Sequence, residues 1–121
     1  MKRRVCIIDD DDDVREVITF ALEEDGFEVL PFDNAEDALD SFSDSEKPPG
    51  FFLLDYLMPK MDGASFIRKI REDHPETLGK VPCALSSANG RIDEDLPADI
   101  LELKKPMDLE QLLDLVRDNC L

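Results

Sequence analysis

Asp9, Asp10, Asp55, Ser87 and Lys105 are the residues of this chain whose types could do chemistry together. Two carboxylates about 4 Å apart repel by about 4 kcal/mol at an effective dielectric near 20. A pocket that gathered Asp9, Asp10 and Asp55 would therefore hold extra protons or take up a cation. Oxygen-only ligands without Cys or His favour a hard ion, Mg2+ before Mn2+ or Ca2+. Mg2+ keeps several waters and pairs well with phosphate, which leaves room for a phosphoryl group at the open positions. Ser87 could donate a hydroxyl hydrogen bond to that group, and Lys105 could balance its charge as a compact ammonium. Asp55 would then attack in line as the nucleophile.

These residues must be brought together by the elements around them. Phe51 to Gly63, FFLLDYLMPKMDG, opens with four apolar residues, Phe51 to Leu54, that run without alternation into Asp55 and then a Pro/Asp/Gly turn, the pattern of a central parallel strand covered on both faces. Taken alone, Asp55 reads as an acid that ends a strand and caps a turn. What changes that reading is the company it keeps at the strand ends. Val5 to Ile8 is a short buried strand that runs into five aspartates, Asp9 to Asp13. Asp12 or Asp13 suits the cap of the helix that follows, whereas Asp9 and Asp10 sit at the strand's end. Val14, Val17, Ile18, Ala21 and Leu22 predict one inward helical face, and Gly26 the stop. Phe27 to Leu30 is a second strand, which Pro31 limits to an edge or a strand end. Ala35 to Phe42 is a helix capped by Asn34, and residues 43 to 50 form a polar loop.

After Gly63, the spacing of Ala64, Phe66, Ile67 and Ile70 predicts a helix that ends before Pro75. His74, at its polar end, has no partner in ligand spacing and reads as a surface residue. Val81 to Ser86 is a fourth strand, followed by Ser87. Between Asn89 and Asp99 only Ile92 and Leu96 could pack, so a loop or one short helical piece is expected there. Ile100 to Leu103 is a fifth strand leading to Lys104, Lys105 and Pro106, and Asp108 caps a last helix with Leu109, Leu112, Leu113 and Val116 on one face. Alternating strands and helices imply βαβ units, hence a doubly wound parallel sheet covered on both sides. Ligands bind such sheets at the carboxyl ends of the strands, where Asp9, Asp10, Asp55, Ser87 and Lys105 all fall.

A length of 121 residues and a hydrophobic content of 42% fit one domain, residues 1 to 121, with its own core. Thirty acids against fourteen Lys and Arg give a net charge of −16, a field that repels nucleic acid and anionic lipid and attracts a divalent cation. Cys6, Cys83 and Cys120 lack paired spacing and read as reduced thiols of a cytoplasmic protein. The apolar run after Lys2, Arg3 and Arg4 is too short for export or a bilayer.

VCIIDDDDDVRE, FFLLDYLMPKMDG, PCALSSA and LKKP resemble, in order and over essentially the whole chain, the four signature blocks of the response-regulator receiver domains of two-component signalling. The resemblance implies five parallel strands in the flavodoxin-like order 2-1-3-4-5. It implies that Asp55 is the phosphorylated aspartate, that Asp9 and Asp10 are the acidic pair, with Asp10 preferred as the direct Mg2+ ligand, and that the carbonyl of Leu57 completes the protein's share of the coordination. Ser87 falls on the family's Thr or Ser, and Lys105 on its lysine before a proline, whose peptide bond is typically cis. The implied partners are a sensor histidine kinase or histidine phosphotransfer domain and a protein output partner, with slow self-dephosphorylation in place of conventional enzymology. Two departures stand out. Glu102 occupies the position of the family's usual aromatic switch, and the segment from Ser87 to Lys105 is about one helical turn short, so the fourth helix is expected to be shortened or irregular.

The competing reading is a receiver-like interaction module that works largely without phosphorylation. Other chemistries fit less well. A haloacid-dehalogenase-type phosphatase would want an acid at Leu57, an EF-hand a glycine at Val14 and an acid at Phe20, and a nucleotide site a glycine-rich loop. No effector domain fits in the remaining residues. The chain is thus expected to be a stand-alone receiver, as Met1 favours, or a piece of a longer regulator or hybrid kinase.

Overall fold

A computed structural model of the chain describes residues 2–43, 47–87 and 96–121. Five strands, β1 (Arg4–Ile8), β2 (Glu28–Phe32), β3 (Phe51–Asp55), β4 (Cys83–Ser87) and β5 (Leu101–Lys104), form one sheet in the order β2-β1-β3-β4-β5. Every pairing is parallel. Among the described residues four helices connect or follow them, α1 (Asp12–Glu24), α2 (Ala35–Ser43), α3 (Gly63–Asp73) and α4 (Leu109–Asn119), with a short 3-10 turn at Leu78–Lys80 that the sequence pattern did not announce.

The central strands are apolar without alternation because each side chain, up or down, meets a helix. Cys6, Ile8, Phe52, Leu54, Cys83 and Leu85 point to one face, where they pack with Ala38 and Phe42 of α2 and Phe66, Ile67 and Ile70 of α3. Val5, Ile7, Phe51, Leu53, Ala84 and Leu103 point to the other, against Ile18 and Leu22 of α1 and Leu112 and Val116 of α4. Edge-to-face contacts run from Phe32 through Phe42 and Phe52 to Phe66, with ring centroids 6.2, 6.0 and 5.3 Å apart. All five residues of β3 are buried. The strand that ends in Asp55 shares this with β4, whose five residues are also all buried.

Several local expectations need correction. Asp11, not Asp12 or Asp13, caps α1: its backbone is extended, and its carboxylate Oδ1 accepts the N–H groups of Asp13 and Val14. Asp12 and Asp13 instead occupy the first turn, where they complement the helix dipole. Val17, expected inside, is 52% exposed, because it lies about 100° round the helix from the buried Ile18. Leu109 is likewise exposed. β2 continues through Pro31 to Phe32, with Pro31 in register with Ile7. Among the described residues β2 pairs with β1 alone, as an edge strand, where a residue without an N–H is tolerated. β4 begins two residues later than expected and includes Ser87.

Other expectations hold. Gly26 follows α1 in the left-handed region, at φ 95°, and Asn34 accepts the Asp37 N–H at the start of α2. Asp108 caps α4 through the Glu110 N–H. Leu96 and Ile100 pack against the core, and residues 96 to 100 form no helix. The expectation of a shortened or irregular fourth helix falls on residues 88 to 95, outside those described.

Candidate functional site

The sheet's carboxyl edge carries the site. β1 and β3 are adjacent and in register, Ile8 beside Leu54, so the chain leaves both strands at the same level and Asp9 and Asp10 emerge next to Asp55. The three side chains each offer a carboxylate oxygen, and these oxygens all lie within 4.8 Å of one another. Asp9 is 3% and Asp55 7% exposed, whereas Asp10 is open to solvent.

Lys105 comes from the far side. Its backbone N–H donates to the Ser87 carbonyl at 3.0 Å, continuing the β4 and β5 ladder by one residue, and the Lys105–Pro106 bond that follows is cis. The ammonium Nζ then sits 3.1 Å from Asp55 Oδ1 and 3.9 Å from Asp9 Oδ2. Ser87 is buried at the end of β4 and linked to Lys105 by that backbone bond. Leu57 is on the loop after Asp55 and is 66% exposed. Thus the structure brings Asp9, Asp10, Asp55 and Lys105 to one pocket, with Ser87 and Leu57 on the segments that border it.

The loop after β3 is closely folded. Tyr56 donates its N–H to the Ser86 carbonyl, Gly63 donates back to the Tyr56 carbonyl, and Asp62 caps α3 through the Ser65 N–H. Lys60 adopts a left-handed backbone in the turn, at φ 68°. Gly63 is there for space: a Cβ on it would stand 2.5 Å from Leu85 Cδ2 and 2.6 Å from the Asp55 carbonyl oxygen. The backbone of the acid and the start of α3 are in contact at that point.

Burial raises the Asp55 carboxyl above its ordinary range. The Lys105 hydrogen bond opposes the shift, and the charge of Asp9 adds to it. Asp9 is also raised by burial, against the pull of the Asp11 N–H, which donates to Asp9 Oδ1 at 2.9 Å. Two buried acids and a third at the rim face one ammonium, so the pocket carries an excess of negative charge. Among the described residues only oxygen donors converge there, without Cys or His, which fits a hard divalent cation. One contact at this edge has no counterpart in the sequence reading: Arg15 donates to the Asp9 carbonyl at 2.7 Å and to Asp12 Oδ1 at 2.6 Å. The signal available beforehand was the spacing of Asp12 and Arg15, three apart on a helix.

Fold and pocket together define a doubly wound α/β domain with an acidic, lysine-faced site at the carboxyl edge of its sheet. A family model, the response regulator receiver domain, matches residues 5–117. The chain belongs to that family, the receiver domains of two-component signal transduction. It is 32% identical over 111 residues to the response regulator receiver protein CpdR of Brucella abortus (strain 2308), an alignment that covers 92% of this chain and 91% of that protein. Among solved structures, a response regulator receiver protein from Pseudomonas putida superposes with a TM-score of 0.80 at 27% identity, covering 98% of both chains. A sensor protein from Polaromonas sp. JS666 gives 0.85 at 26% identity, covering 98% of this chain and 96% of that one. Receiver domains generally bind Mg2+ at an acidic site and are phosphorylated by histidine kinases or phosphotransfer proteins. No helix among the described residues is long and apolar enough to cross a membrane.

Proposed function

We propose that this chain is a phosphoacceptor that receives a phosphoryl group on Asp55 from a phosphohistidine of a sensor kinase or phosphotransfer domain and signals through protein contacts. The observation that carries the reading is the pocket itself, with Lys105 Nζ 3.1 Å from Asp55 Oδ1 beside two further acids. Asp9, Asp10, Asp55 and the Leu57 carbonyl would hold Mg2+, which supplies positive charge to the acids and to the equatorial phosphoryl oxygens. An Asp55 carboxylate oxygen forms the new P–O bond as the donor's P–N bond breaks, and the electron pair leaves with the imidazole nitrogen. Lys105 offsets the charge of the incoming group, and the Ser87 hydroxyl donates to one of its oxygens. Water later attacks the phosphorus slowly, and the P–O bond to Asp55 breaks, which returns the carboxylate and releases inorganic phosphate.

Val17 and Leu109 present exposed apolar area on α1 and at the start of α4 beside Lys105, and Phe20 extends it further along α1, for a donor protein to pack against. On the output side, Glu102 is exposed on β5, opposite Leu85, where the family's aromatic would stand. The response therefore travels without an aromatic swing at that position.

The test is a mass measurement. Protein treated with a small phosphodonor and Mg2+ should gain one phosphoryl group, and Asp55→Asn should gain none. An unchanged mass in the native protein would favour the interaction module that works largely without phosphorylation.

A further inference from the structure

The acidic loop is a run of five like charges, and something must hold it in one shape. Asp9 is held at every polar group. Its N–H donates to the Phe32 carbonyl at 3.1 Å, its Oδ1 accepts the Asp11 N–H at 2.9 Å, and its Oδ2 lies 3.9 Å from Lys105 Nζ. Its carbonyl accepts from Arg15 Nη1 at 2.7 Å. The same guanidinium reaches Asp12 Oδ1 through Nη2 at 2.6 Å, and the Arg15 side chain is 18% exposed. Arg15 is itself fixed in the first turn of α1, where its backbone N–H donates to the Asp11 carbonyl at 2.9 Å. Because the peptide unit is planar, fixing the Asp9 carbonyl fixes the nitrogen and Cα of Asp10 as well. The exposed Asp10 carboxylate then starts from a defined point facing Asp9 and Asp55.

We infer that Arg15 is a positioning residue: through the Asp9–Asp10 peptide plane it aims the Asp10 carboxylate at the cation pocket. The inference rests on the cation site of the proposed function. It makes a prediction opposite in sign to simple electrostatics. Removing a positive charge from the rim of an acidic pocket should tighten cation binding by Coulomb attraction alone. Loss of a group that orients a ligand should instead weaken binding by about tenfold or more.

The experiment is calorimetric titration of the full chain with Mg2+ alone, beside urea unfolding of the metal-free protein. Arg15→Met should remain folded and bind Mg2+ about tenfold more weakly, with Arg15→Lys between it and the native protein because an ammonium keeps the charge and one hydrogen bond. Binding by folded Arg15→Met that equals or exceeds the native affinity overturns the inference and leaves the proposed function standing. Should Arg15→Met not fold, Arg15→Gln decides on the same terms. Native protein that takes up no Mg2+ removes the proposed function and this role for Arg15 with it.

Discussion

Neutralising the phosphoacceptor should make the metal-free protein more stable. At an effective dielectric near 20, Lys105 Nζ, 3.1 Å from Asp55 Oδ1, attracts it by about 5 kcal/mol. Asp9 and Asp10, each with an oxygen within 4.8 Å of one on Asp55, oppose this by about 3.5 kcal/mol apiece before screening. Solvent weakens the contribution of the exposed Asp10 to a fraction of that. The charge terms nearly cancel, and burial decides. Desolvation of a buried carboxylate costs several kcal/mol, part of it relieved where the pocket opens to water. Asp55→Asn keeps the volume and can still accept from Lys105, so it should gain about 1–2 kcal/mol, a rise in Tm of roughly 4–8 °C for a chain of this size. The assay is thermal unfolding of both proteins in chelator and in rising Mg2+. At about ten times its Kd, Mg2+ adds about 1.4 kcal/mol to the protein that binds it, so the two melting curves should converge. If Asp55→Asn melts below the parent in chelator, the lysine ion pair dominates the pocket, and the reasoning from burial and repulsion fails.

Three other outcomes follow from the same geometry. Gly63→Ala places a methyl against Leu85 and the Asp55 carbonyl and should cost about 1–3 kcal/mol in urea unfolding; an unchanged midpoint would mean that the loop gives way. Burial raises Asp9 and Asp55 in the folded state, so their ionisation costs stability above the folded values, and that cost is relieved as pH falls through them towards the ordinary carboxylate range. Asp25 and Asp99, held low chiefly by hydrogen bonds from Arg117 and Arg71, lose their contribution only as pH falls further, through their depressed values. The urea midpoint in chelator should therefore rise and then fall on acidification, with a smaller rise in Asp55→Asn. Lys105→Met should slow phosphoryl uptake about 100-fold while tightening Mg2+, since it removes a transition-state charge and a competing cation together; uptake at the native rate in the mass assay would remove Lys105 from the chemistry.

The sheet was legible because its core strands are apolar on both faces and each ends where charge begins, as at Ile8 and Leu54. Strand-end residues of a parallel sheet share an edge, so the spatial company of Asp9, Asp10, Asp55 and Lys105 followed from topology. The cap of α1 was not legible: five identical aspartates leave residue type silent, and the choice of Asp11 depends on where the backbone turns out of β1. Val17 was misplaced because its helical spacing fits the edge of the inward face as well as the middle. Pro31 read as a limit because the missing N–H matters only against a neighbour, and β2 has none on its outer side. The role of Arg15 escaped because half of its partnership is with a backbone carbonyl, which no side-chain pattern announces.

The two outermost strands have a bearing on how the protein lives among copies of itself. β2 carries a residue with no amide hydrogen, and β5 is four residues long with Glu102 and Lys104 exposed. An extended segment of another molecule that tried to extend the sheet would find a missing donor on one side, and on the other a short run whose charges would have to be stripped of water. Crowding can therefore bring these molecules together without their strands being recruited into a fibre.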